Sequence, residues 1–136
     1  MEEIQNNNGL LKNEDGLLKN SDALIEESKK INIDDFFKIE IKVGEVISVE
    51  EIDGSDKLYK LMVDFGEVEP RQILSGIREY VSKEELLNKQ FPFVTNLEPR
   101  KLRGLYSNGM ILAGSDENGL ALFNPSKKLK NGTRLS

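Results

Sequence analysis

The sequence predicts an all-β domain, a small barrel or sandwich of five short strands with one short helix between the third and the fourth. Three observations support this fold class. From residue 31 onward, apolar residues alternate with polar ones in short runs, which is the two-residue period of a half-buried strand. Glycine, proline, asparagine or aspartate separates the runs, as turns require. One capping signature, Ser82-Lys-Glu-Glu85, predicts the helix.

The first predicted strand follows a brief N-terminal turn that Asn32 is suited to cap. Ile39–Val43 alternates strictly between apolar and polar residues, and Val46–Val49 continues the same strand. Gly44, which lies between the two runs, predicts a bend or a bulge. Asp53-Gly-Ser-Asp56 then predicts a turn into the second strand.

The same pattern predicts four further barrel strands and a short C-terminal strand. These are Leu58–Phe65, Arg71–Ser75, Phe91–Asn96, Met110–Gly114 and, at the C-terminus, Leu120–Phe123. The helix runs from Ser82 to about Leu87, between the third and the fourth strands. This is the element order of an OB-fold, a partly open Greek-key barrel whose surface commonly binds oligonucleotides. The predicted architecture is therefore a five-stranded OB-fold barrel.

Residues 1–30 differ in composition from residues 31–136, so we predict an N-terminal tail or linker followed by one domain. The tail contains a near-repeat of seven residues, Gly9–Asp15 and then Gly16–Asp22, with a pair of leucines in each copy. Adjacent apolar pairs do not form the seam of a coiled coil, and glycine and asparagine weaken a helix. The tail is thus predicted to be disordered or weakly helical, and a weak helix that docks on a partner stays open as an alternative.

The composition excludes several classes of function. The 136 residues include no cysteine and no histidine, which excludes thiol chemistry, histidine-based acid–base catalysis and the usual zinc sites. The adjacent carboxylates at Asp34-Asp35 and Glu84-Glu85 suit helix N-termini better than a catalytic pair. No run approaches the roughly 18 apolar residues of a membrane span. We expect a cytoplasmic protein that is not an enzyme, with no cofactor, no metal and no membrane partner.

The charge is distributed unevenly and converges on one basic segment. The net charge is −5 overall, but residues 31–70 carry −7 and residues 71–136 carry +5. Arg100, Lys101 and Arg103 fall within four positions, in a predicted loop between the fourth and the fifth strands. A basic loop in an otherwise acidic protein indicates a local site for a polyanion, most plausibly RNA.

Eight segments occur in an order and spacing that match a known family. They are Ile33–Phe36, Val43-Gly44, Ser55–Leu58, Val63-Asp64, Pro70–Ile73, Ser75–Ile77, Asn96–Gly104 and Ser107–Leu112. Over about residues 31–136 the chain resembles the tRNA-binding OB domain family. The family includes the C-terminal dimerisation module of bacterial methionyl-tRNA synthetases and free-standing structure-specific tRNA-binding proteins. The resemblance implies an OB-fold, sequence-tolerant binding of the outer corner of tRNA and, often, a homodimer.

The resemblance and the chemistry of the matching positions together predict an RNA-binding set. Its cations would neutralise phosphates, its short polar side chains would contact phosphate or 2′-hydroxyl groups, and its tyrosine would stack on a base. The set is Lys57, Arg71, Ser75, Asn96, Arg100, Lys101, Arg103, Tyr106, Ser107 and Met110.

Four uncharged members of this set also have a purely structural interpretation. For Met110 a place in the core is the favoured alternative, and for Tyr106 it is simple packing. Ser107 could serve only the geometry of its turn, and Asn96 could hydrogen-bond the backbone at a strand end.

Among the cations, Lys101 and Arg103 are the strongest candidates. Leu102 separates them, so in an extended backbone Leu102 would point inward and both cations outward. Arg71, by contrast, is equally suited to an ion pair with one of the two glutamates just before it.

The leading functional hypothesis is non-catalytic, structure-specific binding that delivers or holds tRNA for an aminoacyl-tRNA synthetase of the methionyl type. The chain would then be a homodimeric module or subunit of a methionine–tRNA ligase whose catalytic chain is a partner. An alternative is an export-related, chaperone-like dimer of the same family that binds peptides. A third is a pure dimerisation module.

Overall fold

A computed structural model describes residues 28–136 in full and, before them, the backbone of residues 11–12, 17–20 and 23–26. Packing divides the chain into two units, residues 1–36 and residues 37–136. The first unit contains the strands β1 (Leu11–Lys12), β2 (Leu17–Asn20) and β3 (Ala23–Glu26) and the helix α1 (Ile33–Phe36). Asn32 caps α1, because its Oδ1 accepts the N–H of Asp35 at 2.8 Å.

Three segments of the tail are the short strands β1, β2 and β3. β1, β2 and β3 form an antiparallel sheet in which Leu18 lies opposite Ile25.

The second unit contains nine strands and one helix. They are β4 (Ile41–Glu51), β5 (Tyr59–Asp64), β6 (Arg71–Ser75), α2 (Lys83–Leu86), β7 (Gln90–Val94), β8 (Arg100–Leu102), β9 (Leu105–Ser107), β10 (Met110–Ile111), β11 (Ala113–Asp116) and β12 (Gly119–Leu122). Five of the strands form one antiparallel sheet in the order β10-β7-β4-β5-β6. Its outer strands β6 and β10 approach each other, so the sheet nearly closes. This confirms the predicted five-stranded barrel with a short helix between its third and fourth strands.

β4 is the longest strand and pairs with two neighbours in succession. Residues 41–45 pair with β7 and residues 45–51 pair with β5. The sequence predicted a bend or a bulge at Gly44. The register instead shifts between Val46 and Ser48, a few residues further along the strand. Gly44 is needed for space instead, because a Cβ atom there would lie 2.5 Å from Cγ1 of Val63 and 2.6 Å from Cε1 of Phe65.

The last residues of the chain complete the edge of β4 that neither neighbour covers. The N–H of Gly132 donates to the carbonyl of Val43 at 2.7 Å, and the N–H of Val43 donates to the carbonyl of Thr133 at 2.8 Å.

Inside the barrel, the largest fully buried side chains are Phe91, Phe93, Leu61, Ile73, Leu86, Val46 and Val63. The interior of the barrel is therefore a packed core.

Candidate nucleic-acid interface

The basic segment is a β-hairpin, which corrects the prediction of a loop. β8 and β9 pair with Lys101 opposite Tyr106 and Leu102 opposite Leu105. The two residues that connect them, Arg103 and Gly104, have φ angles of 52° and 79°. Two successive positive φ angles are the geometry of a type I′ turn, the connection that best matches the twist of a hairpin.

The hairpin presents its cations to solvent. Arg100, Lys101 and Arg103 are exposed, whereas Leu102 is half-buried. Arg103 is exposed because it lies in the turn and not in an extended strand. Nζ of Lys101 lies 5.9 Å from the centroid of the Tyr106 ring, and Tyr106 is 58% exposed. The ammonium group of Lys101 thus lies over the ring of Tyr106, so a cation and an aromatic ring share one exposed surface.

Hydrogen bonds hold the hairpin rigidly against β6. The buried Oγ of Ser107 accepts the N–H of Leu74 and donates to the carbonyl of Gly109, both at 3.0 Å. Nε2 of Gln72 donates to the carbonyl of Tyr106 at 2.9 Å. Ser107 therefore serves the geometry of the turn, which was its structural interpretation, and the hairpin is fixed before any ligand arrives.

We expect Ser107→Ala to lower the free energy of unfolding by about 1–3 kcal/mol, because it leaves the buried N–H of Leu74 without its acceptor. Urea denaturation followed by circular dichroism measures the change, and hydrogen exchange should be faster at the Leu74 amide. Ser126→Ala, on an exposed residue, is the control. Unchanged exchange at Leu74 would contradict this assignment.

Of two further polar candidates, Asn96 is exposed but hydrogen-bonded to the backbone, and Ser75 is buried. Oδ1 of Asn96 accepts the N–H of Glu40 at 2.8 Å, and its Nδ2 donates to the carbonyl of Lys38 at 2.7 Å. Asn96 thus ties the end of β7 to the start of β4, which is the strand-end role considered from sequence. Ser75 is 7% exposed in β6, so its hydroxyl is not displayed on the surface.

Arg71 forms an ion pair with Glu67, one of the two glutamates that the sequence offered as its partner. Its Nε and Nη2 donate to the two carboxylate oxygens of Glu67 at 3.0 and 2.8 Å, and its Nη1 donates to the carbonyl of Thr95 at 2.7 Å. The guanidinium also lies 5.3 Å from the centroid of the Phe65 ring. This geometry makes Arg71 a link between the acidic turn and the barrel.

The hydrogen bond from Arg71 lowers the pKa of the Glu67 carboxyl below its usual value. A carboxyl group whose pKa is lowered in the folded state stabilises the fold at pH values above the pKa that the same group has in the unfolded chain. That contribution is lost as the pH falls through the lowered value. The pair is therefore intact at neutral pH.

The loop of residues 52–58 lies next to the tip of the hairpin and carries Lys57. Lys57 is exposed, and a Cβ atom on Gly54 would lie 3.8 Å from Nη1 of Arg103. The loop is anchored by Arg78, a residue that the sequence did not single out. The guanidinium of Arg78 donates to the carbonyl of Ser55 and pairs with Glu51 at 3.4 Å.

Met110 lies on the surface, so the alternative of a place in the core is wrong. It is 42% exposed and borders a small depression of about 50 Å³ between β6 and the hairpin, which Leu97 and Arg100 also line. Met110 is therefore placed to offer apolar contact beside the cations.

Over the part of the chain that the structure describes, no group of three or more acidic side chains is placed to hold a metal ion. Among those same residues, no helix is long and apolar enough to cross a membrane.

Comparison with known proteins identifies the family. The model of the family described as "Putative tRNA binding domain" matches residues 41–134. The chain is 47% identical over 109 residues to methionine–tRNA ligase 1 of Bacillus cereus, a match that covers 80% of this chain and 16% of the ligase. The chain thus spans about a sixth of the length of that relative.

Two solved structures share the fold along their whole length. A MetRS related protein from Pyrococcus horikoshii matches with a TM-score of 0.75 and 38% identity, covering 80% of this chain and 100% of that one. The chaperone CsaA of Bacillus anthracis matches with a TM-score of 0.70 and 28% identity, covering 79% and 100%. The family match spans the entire barrel and its hairpin, so the resemblance found in the sequence is confirmed, and the chain belongs to the tRNA-binding domain family.

Proposed function

We propose that this chain is a non-catalytic, structure-specific tRNA-binding module that holds or delivers tRNA for a methionyl-type aminoacyl-tRNA synthetase in the cytoplasm. The observation that carries the proposal is the β8–β9 hairpin. It displays three cations and an exposed tyrosine on a rigid two-stranded support. We further propose that the module acts as a homodimer, as the family resemblance implies.

The geometry of the hairpin favours recognition of shape over recognition of sequence. Arg100, Lys101 and Arg103 can neutralise phosphates, and phosphate contacts fix position and orientation without reading bases. Tyr106 adds a stacking face that accepts any base. A folded RNA that presents phosphates and a splayed base together is therefore the ligand that this surface fits best.

The hairpin also narrows the predicted set of contact residues. The side chains of Arg71, Asn96 and Ser107 are engaged within the protein and Ser75 is buried, so we assign these four to support of the surface. The proposed contacts are Lys57, Arg100, Lys101, Arg103, Tyr106 and Met110.

The relation to the synthetases suggests how weak binding becomes useful. A module tethered to a catalytic region, in one chain or in a complex, raises the local concentration of tRNA at that region without any new contact. The module then needs only moderate affinity of its own. Aminoacylation by a partner synthetase should accordingly gain from the module at low tRNA concentration and gain little at saturation.

The direct test is a salt titration of tRNA binding to the wild-type chain. If Lys57 and the three hairpin cations each contact a phosphate, log K should fall against log salt with a slope of about −3 to −4. Single-stranded RNA of the same length and duplex DNA serve as competitors, and tRNA should bind more tightly than either. Undetectable binding at about 50 mM salt, where counterion release strongly favours the complex, would contradict the proposal.

A peptide-binding, chaperone-like function is the second candidate, and one feature of the second unit favours it. An apolar groove of about 380 Å³ is lined by residues that include Val43, Pro92, Phe123 and Leu135. Such a groove suits an extended apolar segment, and the fold is shared with a solved structure described as a chaperone. Suppression of client-protein aggregation by a chain that fails to bind tRNA would select this function over the first.

A further inference from the structure

We propose that Tyr80 is a second base-stacking residue, which extends the RNA-binding surface from the hairpin across the loop of residues 52–58. The inference rests on the proposed function, because it names a further contact of the same ligand. The sequence did not single out Tyr80. Its assignment comes from the way three segments meet on one rim of the barrel.

The three segments are connected by direct contacts. The guanidinium of Arg103, at the tip of the hairpin, lies beside Gly54. On the far side of the same loop, the N–H of Arg78 donates to the carbonyl of Lys57 at 3.1 Å. Tyr80 follows two residues later. The hairpin thus adjoins the loop, and the loop adjoins the turn that carries Tyr80.

Tyr80 is displayed on a turn that is anchored at both ends. It is 61% exposed, whereas Ile77 and Val81 on either side are buried in the core. The N–H groups of Tyr80 and Val81 both donate to the carbonyl of Ile77, at 2.9 and 3.0 Å, and the hydroxyl of Tyr59 donates to the carbonyl of Val81 at 2.8 Å. An exposed aromatic ring on a fixed backbone loses little conformational entropy when a ligand stacks on it.

The local charge indicates that the contact is with a base and not with a phosphate. Carboxylates outnumber cations on the segments that adjoin Tyr80, since Lys57 and Arg78 lie among Glu51, Asp53, Asp56 and Glu79. A patch with a net negative charge does not attract phosphate. Stacking does not depend on net charge, and unstacked bases in the loops of a folded RNA are the groups that aromatic side chains take up.

The affinity test compares Tyr80→Ala with Tyr80→Phe. Loss of one stacked base should weaken tRNA binding roughly 5- to 100-fold in Tyr80→Ala, whereas Tyr80→Phe should bind like the wild type. The slope of log K against log salt should stay unchanged in Tyr80→Ala, because no phosphate contact is lost. In Lys101→Ala the slope should become shallower by about 0.7–0.9.

A spectroscopic test reports on stacking directly. The chain contains no tryptophan, so Tyr80→Trp introduces a single fluorophore whose emission should be quenched when tRNA binds. Phe123→Trp, at an exposed position outside the three segments, should show no quenching and serves as the control.

The outcomes separate this inference from the proposed function. If the wild type binds tRNA while Tyr80→Ala binds equally well and Tyr80→Trp is not quenched, the inference is overturned and the proposed function stands. If the folded wild type fails to bind tRNA at all, both are overturned.

Discussion

Reversing the charge of Lys101 and Arg103 together, as Lys101→Glu and Arg103→Glu, should weaken tRNA binding by about 100-fold or more at roughly 100 mM salt. The change removes two proposed phosphate contacts and places two carboxylates where the phosphates would lie, so the loss exceeds that of alanine substitutions. Filter binding or fluorescence anisotropy with labelled tRNA measures the affinity.

The fold should tolerate this double substitution. Both side chains are exposed, and the hairpin is held by Ser107 and Gln72, which do not change. The control is Lys127→Glu with Lys128→Glu, two exposed lysines whose reversal brings the net charge of −5 to the same −9. Equal loss of affinity in the two double variants would show that total charge matters and that the hairpin does not.

The barrel could be predicted from the sequence because its signals are local. Strict alternation over Ile39–Val43 marks the start of β4. The pair of Ser82 and Glu85 marks α2, where the N–H and the hydroxyl of Ser82 both donate to Oε2 of Glu85. These signals depend only on residues that are close in the chain.

The hairpin was missed because its own signals conflict. Its strands have three residues each, and the first begins with two cations that suggest a solvated loop. The Arg103-Gly104 pair occupies a turn that usually takes asparagine or aspartate at its first position. An arginine with a positive φ costs conformational energy, and departures from local rules of this kind concentrate at functional sites. The misassigned segment is the one that we propose binds RNA.

The polar candidates could not be resolved from the sequence because their partners are distant in the chain. Asn96 bonds with Glu40, 56 positions away, and Ser107 bonds with Leu74, 33 positions away. A side chain that satisfies a buried backbone group and one that waits for a ligand look the same in sequence. Exposure separates the hairpin cations, which lie in solvent, from Ser107, which is buried.

Phe93→Ala should have the largest effect on stability, lowering the free energy of unfolding by about 3–5 kcal/mol. Phe93 is fully buried, and its ring meets that of Phe65 edge to face with 5.3 Å between the centroids. Arg71 lies over the other ring of this pair, and Ile111 lies opposite Phe93 in the pairing of β7 with β10. Truncation therefore leaves a cavity at the point where the barrel nearly closes, and urea denaturation should show a lower midpoint.

Two matched variants decide whether the loss is specific to the core. Phe93→Leu keeps most of the buried volume and should lose clearly less stability, because the neighbouring side chains can close around it. Phe123→Ala removes the same atoms from a side chain that is 55% exposed, and it should also cost much less. If all three variants unfold at the same urea concentration, the barrel does not depend on this aromatic pair. The fraction of Phe93→Ala that remains folded should still bind tRNA, because the hairpin keeps its own hydrogen bonds to β6.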